Sequence, residues 1–92
     1  MGIYRLIVRI TFKNKVYLIP PPFDECYFGS DPLRIMTVMN PHDKRSCELP
    51  TFAISIYHKI LESNVSEDYE VSDEGRVWFE KNFNDEYYML LD

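Results

Sequence analysis

The sequence predicts one α+β domain over residues 1–92, a small antiparallel sheet nucleated by an N-terminal β-hairpin and packed against one main α-helix. Three observations predict it. Residues 3–19 alternate apolar and mixed positions in two runs separated by Lys13-Asn14-Lys15, the period of two expected of paired strands. Residues 51–63 repeat apolar side chains every four positions, the mark of a helix with one buried face. The 92 residues, 46% hydrophobic and 15% aromatic, suffice for one thin core and argue against disorder.

In the first run, Tyr4, Leu6, Val8, Ile10 and Phe12 form an apolar face, and Ile3, Arg5, Ile7, Arg9 and Thr11 form a mixed one. Asn14 is the turn residue best suited to a positive φ, and Val16 to Ile19 resume the strand. Pro20-Pro21-Pro22 ends it, because proline cannot donate to a ladder. The proline run reads as a rigid corner; it lacks the basic flanks expected of a ligand for an aromatic groove. Cys26-Tyr27-Phe28 is a short apolar stretch, and Gly29-Ser30-Asp31-Pro32 a turn cluster. Leu33 to Met39 is predicted as a strand on the β-branched Ile35, Thr37 and Val38, with a short helix capped by Asp31 as the alternative. Asn40 to Pro50 is predicted as a polar surface loop.

Thr51 to Ser63 is predicted as a helix with Thr51 as its N-cap. Phe52, Ile56 and Ile60 make one row and Ala53, Tyr57 and Leu61 the next; together they cover the apolar face of the first strand. Tyr69-Glu70-Val71 is predicted as a strand. Two continuations compete over 73–83. One is a hairpin through Asp73-Glu74-Gly75 into Val77-Trp78-Phe79; the other is a helix capped by Ser72, with Phe79 and Phe83 stacked four apart. The hairpin is favoured, because glycine is poorly suited to a helix interior. Tyr87 to Leu91 is predicted as a C-terminal strand.

The segment Tyr69-Glu70-Val71-Ser72-Asp73-Glu74-Gly75-Arg76 resembles the strand-to-helix junction after the wing of winged-helix DNA-binding proteins. It also resembles the short Tyr-x-Val-Ser…Gly-Arg-Val motif of modules attached to homing endonucleases. Both resemblances imply basic surroundings. Here Glu67, Asp68, Glu80, Asp85 and Glu86 surround the segment, and phosphates would be repelled.

Charge is unevenly distributed. Residues 1–47 hold seven Lys/Arg and four acids, and residues 48–92 hold three and eleven, so the halves carry +3 and −8 of the net −5. One acidic surface follows, suited to solubility or to a basic partner. The acidic residues singled out as a partner-binding surface are Glu67, Asp68, Glu70, Asp73, Glu74, Glu80, Asp85 and Glu86. Tyr69, Trp78, Tyr87 and Tyr88 are its expected aromatic anchors.

Catalytic and metal chemistry find little support. Cys26, His42, Cys47 and His58 match no zinc spacing, and no nucleophile–base signature or glycine-rich phosphate loop is present. No enzyme activity, metal or cofactor is expected. No apolar run reaches membrane-spanning length, the N-terminal residues do not read as a secretory signal, and Leu6 breaks the myristoylation pattern. A cytoplasmic location with reduced thiols is expected.

The expected function is non-enzymatic protein binding through the acidic half. Small size, missing catalytic motifs and this charge layout resemble, in type, virus-encoded inhibitors of host defence nucleases, which imitate nucleic-acid phosphates. The expected partner is a protein with a basic surface, a nucleic-acid-binding enzyme complex in the sharper form, with no direct nucleic-acid contact. The alternative is a structural or adaptor subunit that forms a homodimer or hetero-oligomer through the hairpin, with Ile3 and Ile7 in the interface. An RNA-binding sheet using Arg5 and Arg9 beside Tyr4 and Tyr17 is a third reading.

Overall fold

A computed structural model describes residues 8–26, 28 and 30–91. The expectations that rest on Ile3, Tyr4, Arg5, Leu6 and Ile7 lie outside the described residues. The fold is α+β: the described residues form two small antiparallel hairpins and three α-helices.

Strands β1 (Val8–Phe12) and β2 (Lys15–Ile19) form the first hairpin, with Val8 opposite Ile19 and Phe12 opposite Lys15. Its two-residue turn puts both Lys13 (φ 51°) and Asn14 (φ 64°) in the left-handed region, the geometry that matches the twist of the strands. Val8, Ile10 and Phe12 pack against the core while Arg9 and Thr11 are exposed, as the alternation predicts. The proline corner then aims the chain inward. The Phe23 and Asp24 N–H groups donate to the Pro20 carbonyl at 2.9 and 3.2 Å, and Phe23 is fully buried.

Strand β3 (Ile35–Met39) is present as predicted, but residues 40–50 are not a plain loop. Strand β4 (Ser46–Pro50) pairs with β3, Ile35 opposite Pro50 and Met39 opposite Ser46. The polar stretch hides a period of two: Cys47 and Leu49 turn inward, Ser46 and Glu48 outward. Only residues 40–45 make the connection. Asn40 N–H donates to the Arg45 carbonyl at 2.7 Å, and the left-handed Lys44 (φ 64°) turns the chain back.

Helix α1 (Thr51–Val65) follows β4 directly. Pro50, not Thr51, occupies the N-cap position; the Thr51 hydroxyl instead donates to the Arg34 carbonyl at 2.8 Å, tying the helix start to the residue just before β3. Phe52, Ala53, Ile56, Tyr57 and Ile60 are buried, whereas Leu61 is exposed.

The C-terminal third departs most from expectation. Residues 69–82 form helix α2 (Tyr69–Asn82), so neither the strand at 69–71 nor the hairpin at 73–79 exists. Asp68, not Ser72, caps it by accepting the Val71 N–H. Ser72 is buried, and its hydroxyl donates to the Asn64 carboxamide oxygen on α1. Gly75 sits inside the helix because α1 and α2 approach closely there. A Cβ would overlap Ile60 and stand 2.9 Å from the Phe23 ring. Helix α3 (Asn84–Leu90) replaces the predicted C-terminal strand. Asn40, buried in the second hairpin's turn, donates to the Met89 carbonyl at 2.7 Å and fastens α3.

Aromatic rings fill the core. Tyr17 stacks on Phe83 with centroids 5.1 Å apart and planes 5° from parallel. Phe52, Phe79 and Trp78 pack around that pair at 5.4–6.1 Å.

Candidate protein-binding surface

The helical state of 69–82 decides where the acidic side chains go. On a helix, residues three and four apart share a face, with Cβ atoms about 5–6 Å apart. Ser72, Gly75, Trp78 and Phe79 are turned inward. Glu70, Asp73, Glu74, Val77, Glu80 and Lys81 are all exposed on the opposite side. Four carboxylates therefore share one outward face with one lysine. Among the described residues, none of the carboxylates from Glu67 to Glu86 pairs with a Lys or Arg; the ion pair that the structure records joins Arg45 to Asp43 at 2.6 Å.

The remaining predicted acidic residues are distributed differently. Glu67 and Asp68 lie in the α1–α2 connection, both exposed, with Glu67 at φ 62° and Asp68 serving as the cap of α2. Asp85 is exposed on the first turn of α3. Glu86 is half-buried and faces the hairpins, lining a hollow of about 360 Å³ with Phe12, Tyr17, Ile35 and Leu49. Its charge acts on two nearby groups. Burial first, and the Glu86 charge second, push the Tyr17 phenol and the Cys47 thiol above their ordinary values.

The predicted aromatic anchors also divide. Tyr69 is 58% and Tyr88 48% exposed. Tyr87 is half-buried edge-on to Tyr88, with centroids 5.3 Å apart. Trp78 is a core residue, 8% exposed, whose indole N–H donates to the Leu18 carbonyl at 2.8 Å. Its edge nevertheless lines an open hollow of about 500 Å³ bounded by Pro20, Asp73, Glu74, Val77 and Lys81. Val77, 70% exposed at the middle of the acidic face, was not anticipated. Helical spacing over 70–81 would have found it; reading those residues as a hairpin hid it.

The basic sheet proposed for RNA lacks its described aromatic platform. Tyr17 is buried against Phe83, and Lys13 and Lys15 lie over the Phe12 and Tyr17 rings at 5.4 and 5.1 Å. Arg9 is exposed, and Arg5 and Tyr4 lie outside the described residues. Cys26 and Cys47 are half-buried while His42 and His58 are exposed. Among the described residues no group of three or more His, Cys, Asp or Glu side chains is placed to hold a metal ion. Among them, too, no helix is long and apolar enough to cross a membrane. Comparisons with protein families, with curated proteins and with solved structures find no match to this chain.

Proposed function

We propose that this domain is a non-enzymatic binding module that docks the outward face of α2 against a basic protein surface. In its sharper form it inhibits a nucleic-acid-handling enzyme by presenting carboxylates where the enzyme expects phosphates. The observation that carries the reading is the unpaired row of Glu70, Asp73, Glu74 and Glu80 on one exposed helix face. Exposed carboxylates attract a basic groove over about a Debye length, roughly 8 Å at physiological salt, and orient the encounter. The hollow beside Val77 and Trp78 gives that encounter an apolar contact, which electrostatic steering alone does not supply.

The test is capture of partners from the natural lysate with the wild-type chain and with the quadruple variant Glu70→Lys, Asp73→Lys, Glu74→Lys and Glu80→Lys. All four side chains are exposed, so circular dichroism should show an intact fold. Asp68 is left alone because it caps the helix. The expected result is one basic nucleic-acid-handling protein, released by salt and absent with the variant. Retention of the same partner by the variant would show that the α2 face is not the site.

A further inference from the structure

Each two-stranded sheet has two edges, and the four edges are not alike. In an antiparallel pair, alternate residues direct their N–H and C=O toward the partner strand and the others direct them away. The bonds from Asn40 N–H to the Arg45 carbonyl and from Thr51 N–H to the Arg34 carbonyl (2.7 and 2.8 Å) mark the two ends of the β3–β4 ladder. With the register of Met36 opposite Leu49 and Val38 opposite Cys47, the even-numbered residues face β4. Ile35, Thr37 and Met39 therefore turn their backbone groups outward. Among the described residues these groups have no hydrogen-bond partner.

The other three edges carry features that oppose further pairing. The outer edge of β4 presents Pro50, which has no N–H, and the charged Glu48. The outer edge of β1 presents Arg9. On that of β2, the Trp78 indole N–H on α2 already occupies the Leu18 carbonyl. The β3 edge has none of these. Ile35, Met36 and Met39 are 43%, 47% and 57% exposed, and no charged residue occurs between Arg34 and Asp43. Beside it lies a hollow of about 420 Å³, lined by Met36, Val38, Ile54, Tyr57 and Leu61.

We infer that the open edge of β3 is a self-association site, at which a second copy of this chain adds its own β3 antiparallel with Thr37 on the two-fold axis. The edge is self-complementary in that register. Ile35 of one copy opposes Met39 of the other, Met36 opposes Val38, and Arg34 opposes the neutral Asn40. Two chains of net charge −5 thus meet along a stretch that sets no like charges opposite each other. A specific dimer buries roughly 800 Å² per partner, about an eighth of the 6433 Å² surface of this chain. A five-residue backbone edge is too small for that alone. The exposed Ile35, Met36 and Met39 and the hollow beside α1 extend the contact. The joined edges make one four-stranded sheet.

Sedimentation equilibrium of the full chain between roughly 1 μM and 1 mM tests the proposal. A reversible monomer–dimer equilibrium that tightens with added salt is expected, because salt screens the like net charges. Thr37→Lys places two ammonium groups on the axis and Thr37→Glu two carboxylates. Each variant alone should dimerise at least about tenfold more weakly, and an equimolar mixture should recover the dimer by pairing opposite charges. Hydrogen exchange on the wild-type chain gives a readout that needs no variant. The Ile35, Thr37 and Met39 amides should gain protection with concentration, and those of Arg9 and Thr11 should not. A wild-type chain that stays monomeric throughout, variants that dimerise as tightly as wild type, a mixture that stays monomeric, or unchanged protection at β3 would each overturn the proposal.

Discussion

Gly75 shows how one residue misleads a local reading and then explains the packing. Glycine inside a helix costs up to about 1 kcal/mol relative to alanine, which favours a turn at that position. The structure buries it between α1 and α2, where a Cβ would overlap Ile60 and press on Phe23. Gly75→Ala should therefore destabilise the fold by about 1–3 kcal/mol despite the better helix propensity, since overpacking outweighs the propensity gain. A urea denaturation midpoint checks it; a stabilised variant would mean the helices separate freely.

Three residues also give stability a direction with pH. Burial chiefly, with Glu86 second, raises the Tyr17 phenol above 10.0 and the Cys47 thiol above 9.0; burial, then Cys47, raises the Tyr57 phenol above 10.0. In each case the folded chain holds the proton more tightly than the unfolded chain. The stabilisation is full below the ordinary values and is lost as pH rises past 9, for the thiol, and past 10, for the phenols. Thermal unfolding followed across that alkaline range should show a falling midpoint, and Glu86→Gln should make the fall smaller, because it lessens the folded-state shifts and leaves the unfolded values alone.

Among the elements, two caps hold the C-terminal helices in place. Asp68 accepts the Val71 N–H at the start of α2, and Asp68→Ala should cost about 0.5–2 kcal/mol, read from the same denaturation curves. Asn40 accepts the His42 N–H at 2.8 Å and donates to the Met89 carbonyl. Replacing it with alanine should cost about 1–3 kcal/mol, because a part-buried carbonyl loses its donor. Hydrogen exchange should then rise in α3 while α1 stays protected; uniform exchange would mean α3 does not open by itself. The first hairpin, β3 and α1 were legible because their periodicity lies in adjacent residues: Val8, Ile10 and Phe12 alternate, and Phe52, Ile56 and Ile60 recur every four. β4 was not, because its alternation rests on just two apolar side chains, Cys47 and Leu49, in a stretch dominated by polar ones. Helix α2 was concealed by Gly75 and by the β-forming side chains of Val77, Trp78 and Phe79. Packing against α1 overrides both.

For the molecule as a whole, two surfaces of different chemistry make opposite demands on solvent. The acidic face of α2 should lose a basic partner as salt rises, because the attraction is screened. The β3 edge should gain self-association under the same change, because the screened interaction is repulsive. Salt titration of both binding events in one buffer series is expected to move them in opposite directions. Parallel movement would mean that one surface serves both.

The sequence by itself determined the α+β class, the first hairpin with its turn at Asn14, a strand read at 33–39 and a helix read at 51–63, which the structure places at 35–39 and 51–65. It also determined that the C-terminal half carries the negative charge. These follow from composition and from local periodicity, which need no knowledge of distant contacts. Only the tertiary structure decided that 69–82 is a helix, that Trp78 belongs to the core, and that Glu70, Asp73, Glu74 and Glu80 share a face from which Glu86 is turned away. The physical reason is the close contact of α1 with α2: it makes a glycine necessary at 75 and turns Val77 outward, and no reading of neighbours along the chain contains that contact.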